Sequence, residues 1–200
     1  MLRIPAQIAF WLNFYNACVL RDTAEFVRAG SVHRAQGFFD RRRVQLAGHD
    51  WSLDDIEHGL LREAPKYGRI LAPMKKSDPR LAFVPLAYDE RVHFGMYSAC
   101  RSSPPLRVFH GEQLYDELES AARDYIARTV RVEAGGAIVR IPKLFQWYAA
   151  DFGGEAGVLD FVVARIDDEA AIDLIDRRLG RVSLRYADYD WTLNNRPESA

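Results

Sequence analysis

The stretch PAQIAFWLNFYNACVL, residues 5–20, constrains the fold more than any other part of the chain. Its spacing suits a helix, with Pro5 in the first turn, where a missing N–H costs little. Ile8, Phe10, Trp11, Leu12, Phe14, Tyr15 and Val19 spread apolar surface over nearly every side, and a helix that is apolar all round belongs in an interior. The fold is therefore expected to enclose a central, buried helix. Asn13 and Asn16 interrupt this surface. Three residues apart, they share one helix face, and a buried amide left without hydrogen bonds destabilises a protein by about 1–3 kcal/mol. Either they tie down neighbouring loop backbone or they line a ligand pocket.

Two hundred residues, 48% hydrophobic and 28% charged, suit one soluble domain, expected over residues 1–195 with a polar tail at 196–200. A net charge of -1 offers no field to gather nucleic acid or an anionic membrane, so neither nucleic-acid binding nor membrane insertion is expected. The run Arg41-Arg42-Arg43 reads as a solvated face or hairpin flank rather than a phosphate site. No stretch of about 18 apolar residues predicts a transmembrane helix. The start carries no signal-peptide pattern, making the cytoplasm the default, although an N-terminal region missing before Met1 would change that expectation. Cys18 lies in the apolar helix as a buried thiol, and no disulfide is inferred.

Further along, Asp22 to Ala29 reads as a second helix stopped by Gly30. Phe38-Phe39 and Val44-Gln45-Leu46 look like strand material before a turn at Gly48-His49-Asp50. Ser52 and Asp55 form a capping-box pattern, predicting a helix over 53–62 with Leu53, Ile56 and Leu60 on its core stripe and Glu57 and His58 off it. Four prolines break the segment 65–85. Residues 91–97 read as a strand, 111–128 as an amphipathic helix, and 130–141 as a hairpin around Gly135-Gly136. Helices are expected over 142–151, 157–166 and 169–179, then a last strand over 182–186. The sum is an α+β fold: a central buried helix and several surface helices packed on a small, mainly antiparallel sheet.

Five blocks carry a resemblance: FWLNFYNA (10–17), SLDDIEHGLLR (52–62), RVHFGMYSACRSSPPLR (91–107), IPKLFQWYAADFG (141–153) and DYDWTLN (188–194). Together they resemble a family of bacterial and plant proteins catalogued as domain of unknown function 547. The resemblance implies a papain-like or transglutaminase-like fold, in which a thiol works with a histidine and a third polar group. By that implication Glu57, His58 and His93 are catalytic candidates. Where relatives read NCGxxSCPPL, this chain reads YSACRSSPPL from Tyr97 to Leu106. Serines 98 and 103 stand at the two cysteine positions, and Cys100 is displaced by two.

A thiol nucleophile needs exposure and a nearby base or positive charge. Cys100 has Arg101 beside it, and a shift of two along a strand would keep it on the relatives' face. Ser98, Ser102 or Ser103, with His93 or His58 as base, are the other nucleophile candidates; a plain turn with hydroxyls bonded to backbone is the favoured reading of the SSPP run. Adjacent helix positions point about 100° apart, so Glu57 is not an obvious direct partner of His58. No HExxH or paired-cysteine spacing indicates a metal, and no phosphate-loop pattern indicates a nucleotide, so no cofactor is expected. Two functions remain. One is a hydrolase or acyl transferase acting on an amide or ester. The other is a binding module whose inherited cleft, with Asn13, Asn16, Arg107 and Trp191 as ligand contacts, receives a peptide, protein or small molecule. Loss of both usual cysteines favours the second.

Overall fold

The computed structural model describes residues 3–26, 30–41, 43–62, 75, 77–85, 87–178 and 180–194. Prolines 65 and 73 and the tail at 196–200 fall outside these residues. The fold is α+β, and its contacts divide the chain into two compact units: 1–118 with 191–200, and 119–190.

In the first unit, helix α1 spans Ile4–Phe26 without a break, so the second helix expected from Asp22 is its continuation. Ile8, Leu12, Tyr15, Val19 and Asp22 recur every three or four residues and are buried, whereas Phe10 and Leu20 are 42% and 45% exposed. The helix thus buries one broad face rather than all its sides. Its neighbours are a small hairpin and a polar turn. Strands β1 (Val44–Leu46) and β2 (His49–Trp51) pair antiparallel. Their turn is Ala47-Gly48, both at positive φ (51° and 78°), the two-residue geometry whose twist matches a hairpin. His49 therefore lies on a strand, against Trp51 and Phe83, instead of in the turn. Phe38 and Phe39 sit in a turn, not a strand, with Phe38 in the core.

The capping box forms as expected: Asp55 N–H donates to Ser52 Oγ (3.0 Å) and Ser52 N–H to the Asp55 carboxylate (2.9 Å). Beyond it the backbone winds wider than an α-helix. Asp55–Leu61 is π-helical, ending with Arg62 N–H bonded to the Glu57 carbonyl five residues back. Leu53, Ile56 and Leu60 are buried.

The segment 91–97 is a second correction. It holds a short helix, α2 (Val92–Gly95), instead of a strand. Asp89 starts it, its carboxylate accepting the Arg91 N–H (3.0 Å) and its carbonyl the Val92 N–H (3.1 Å). A local Asx turn overrides the β preference of valine, phenylalanine and tyrosine.

Helix α3 (Leu114–Thr129) begins in the first unit and continues into the second. There, β3 (Arg131–Glu133) and β4 (Ile138–Pro142) make the expected hairpin. A side chain at Gly136 would meet the Leu174 carbonyl at 2.1 Å, so glycine is required by close approach as well as by its φ of 84°. Helix α4 (Lys143–Trp147) stops early, followed by a tight turn at Ala149–Phe152; α5 (Gly154–Val163) and α6 (Glu169–Asp176) lead to β5 (Ser183–Ala187). Strand β5 pairs parallel with β4, which a long helical crossover permits. Phe145, Phe152 and Phe161 fill this unit's interior with ring centroids 4.9–6.2 Å apart.

Candidate functional site

Two polar constellations in the first unit contain the sequence-predicted residues. One is organised by α1 and the segment 95–109. Asn13 Nδ2 donates to the Phe109 carbonyl (2.8 Å) while its Oδ1 accepts the Phe109 N–H (2.9 Å). Asn16 donates to the Gly95 and Arg107 carbonyls (3.0 and 3.3 Å) and accepts the Tyr97 N–H (2.9 Å). Both amides thus serve as main-chain partners for that segment. Arg107 enters through its carbonyl.

Within that segment Ser98, Cys100 and Ser103 form a tight knot. The Ser98 N–H donates to Ser103 Oγ (2.8 Å), which itself donates to the Pro104 carbonyl (2.9 Å). Ser98 Oγ and Cys100 Sγ are 3.2 Å apart. The two positions that carry cysteine in the NCGxxSCPPL pattern therefore lie side by side. Between Ser98 and Cys100, Ala99 takes a φ of 57°, so no regular strand runs through them and Cys100 is not shifted along one strand face. Cys100 is fully buried, as is His93 on α2. Outside the knot, Arg101 N–H bonds to the Thr192 carbonyl (2.9 Å) and Asn194 N–H to the Ala99 carbonyl (2.9 Å). Trp191, half-buried, leans on His33 at 5.4 Å and accepts at its carbonyl a hydrogen bond from Ser31 Oγ.

The other constellation is centred on the π-helical turn. His58 Nδ1 is 2.7 Å from Arg62 Nη1. A guanidinium can only donate, so Nδ1 is the acceptor and the imidazole proton sits on Nε2. That nitrogen lies 3.9 Å from Asp54 Oδ1, while Glu57 Oε1 is 3.8 Å from Nδ1. The wider winding brings the Glu57 carboxylate this near to His58, closer than ordinary helical spacing predicts. Tyr15, on α1, donates its hydroxyl to Glu57 Oε2 (3.3 Å). Burial pushes the Asp54 carboxyl up to about 6; His58 opposes this, while Glu57, Asp40 and Asp55 add to it. His58 keeps a 13% exposed side chain, so the imidazole edge is reachable where Cys100 is not.

Asp54, Tyr15 and Arg62 were missed in the sequence, although Asp54 and Arg62 lie four residues either side of His58 and so share its helix face. Also missed was the buried Asp55 carboxylate, which receives both Arg43 and Arg80, the latter at 2.9 Å. Arg43 is thus an ion-pair partner instead of part of a purely solvated run; Arg42 lies outside the described residues. Among the described residues no group of three or more histidine, cysteine, aspartate or glutamate side chains is placed to hold a metal, and no helix is long and apolar enough to cross a membrane.

Comparison with known proteins adds a family. Residues 2–126 match the family described as "Protein of unknown function, DUF547". No curated protein and no solved structure matches the chain. The match covers more than half the sequence, and the chain belongs to that family.

Proposed function

We propose that this protein is a ligand-binding module, and that the polar turn around His58 receives a hydrogen-bonding group of a peptide or small molecule in the remnant of a thiol-hydrolase-like cleft. One observation carries the reading: the basic lone pair of His58 is engaged by Arg62. Held this way, the imidazole is a donor at Nε2 rather than a general base. The carboxylates of Asp54 and Glu57 beside it supply acceptors, so the turn offers both halves of an amide's hydrogen-bonding pattern. Burial of Cys100 supports the same reading, because a nucleophile must reach its substrate.

The test is alkylation of the native protein by an iodoacetamide probe between pH 6 and 9, with Cys18→Ser as background, alongside anisotropy titration of a fluorescent peptide panel against wild type and His58→Ala. Negligible Cys100 labelling, no ester or amide turnover, and peptide binding weakened at least tenfold by His58→Ala are expected. Rapid labelling well below the free-thiol pKa of about 8.5 that falls in His58→Ala or His93→Ala would replace this reading with a Cys100 hydrolase or acyl transferase.

A further inference from the structure

The second unit carries a different surface, formed by residues that follow the matched range 2–126. In the register of its sheet, Arg131 on β3 is opposite Arg140 on β4, and Arg140 is opposite Arg185 on β5. Three arginines therefore form one row across three strands, all exposed. Like charges directly opposite in a sheet repel, and a row of them is unfavourable unless something neutralises it. Two members have local relief. Arg131 donates to the Ala127, Arg128 and Val130 carbonyls at the end of α3, and Arg140 pairs with Glu133 at 2.7 Å. Among the described residues the Arg185 side chain makes no hydrogen bond or ion pair, nor does the Lys143 side chain at the start of α4. Both, with Arg140, Gln146 and Tyr186, line an open groove of about 650 Å³ that contains no carboxylate in its wall. Two carboxylates outside the lining bond to groove residues: Glu133 pairs with Arg140 at 2.7 Å, and Glu155 accepts from the Tyr186 hydroxyl at 3.3 Å.

We propose that this groove is an anion site for a phosphate-bearing ligand, gripped by Arg185 and Lys143 with Arg140 as the third cation. Arg185, in cross-strand register with Arg140, presents its guanidinium fork to a tetrahedral oxyanion, the geometry for which arginine is suited; Arg140, whose Nε and Nη2 are held by Glu133, adds its charge and remaining Nη1, and lysine adds a compact point charge. Gln146 contributes a neutral donor for an ester or hydroxyl oxygen. The groove is large enough for a phosphorylated metabolite, and its open mouth equally admits a phosphate monoester borne on a lipid headgroup.

The experiment titrates the intact protein with inorganic pyrophosphate at constant ionic strength, following thermal unfolding and amide NMR shifts, with sodium chloride as control. Saturable binding is expected, with shifts clustered on residues 138–146 and 183–187, weakened at least tenfold in Arg185→Thr and in Lys143→Gln. Without pyrophosphate, Arg185→Thr is expected to raise Tm by about 2 °C, because relieving cross-strand repulsion stabilises the free protein. Sedimentation with phosphatidate vesicles separates the two sources: co-sedimentation assigns a lipid headgroup, and its absence alongside pyrophosphate binding assigns a soluble phosphate compound. Pyrophosphate effects no larger than those of chloride, or unchanged in both variants, would overturn the proposal.

Discussion

The polar turn at Asp54–Arg62 and the knot at Ser98–Ser103 are both assembled against α1, yet they treat their reactive groups in opposite ways. The knot is locked by main-chain bonds. The Ser103 hydroxyl bridges two main-chain groups, the thiol is sealed, and α1 holds the adjoining segment with two asparagines. The turn is held by its π-helical backbone and capping box, and it gathers its polar side chains around an imidazole that keeps some exposure and one carboxyl, Asp54, held at a cost to stability. The contrast separates residues that build the fold from residues free to meet something else. Local strain or unfavourable ionisation in the second class is the usual mark of function.

Removing the clamp should break the contrast most severely. Asn16→Ala leaves two carbonyls and one N–H without their partner, and is expected to destabilise the protein by about 3 kcal/mol in urea unfolding and to make Cys100 reactive toward thiol reagents. An unchanged midpoint and an unreactive thiol would show that the amide does not hold this segment. Ser103→Ala should cost about 1–2 kcal/mol, since Ser103 both accepts from Ser98 and donates to Pro104.

Asp54→Asn should act in the other direction. The folded carboxyl titrates near 6, above an unfolded value near 4, so the native state binds the proton more tightly and stability falls as pH rises from about 4 to 6. The penalty is complete above that window and absent below it. Asparagine removes it, giving a gain of about 1 kcal/mol at pH 7.5, after discounting for a side chain one-third exposed, and no gain at pH 3.5. A gain of equal size at both pH values would point to packing instead. His58→Ala should cost about 1 kcal/mol, because it removes an acceptor from the buried Arg62 guanidinium; a loss above about 3 kcal/mol would move His58 into the structural class.

Much of the knot's scaffold was legible in the residues. Asn13 and Asn16 stood out as polar exceptions on an apolar helix, and hydrogen-bonding necessity alone forecast that they would bind something. The capping box at Ser52–Asp55 was equally readable, because it depends on four adjacent residues. What escaped notice depended on winding or on distance. Nothing in DIEHGLL announces a π-helix, so the proximity of Glu57 to His58 could not be anticipated from ideal spacing. Arg80 reaches Asp55 from 25 residues away. The segment 91–97 was misread because β preference outweighed a single aspartate at position 89, although that aspartate decides the local geometry.

The pairing of Ser31 with Thr192 and of Cys100 with Leu193 has a kinetic corollary. Ser31 Oγ bonds to a carbonyl 160 positions along the chain, so the first unit cannot be completed until its last segment has been synthesised and brought back. Closing so long a loop is entropically expensive but grows only logarithmically with length, which makes the step late rather than forbidden. On the ribosome the sealed thiol would therefore remain accessible until residues 191–194 have emerged, and its modification during that interval would report how long the chain waits for that stitch.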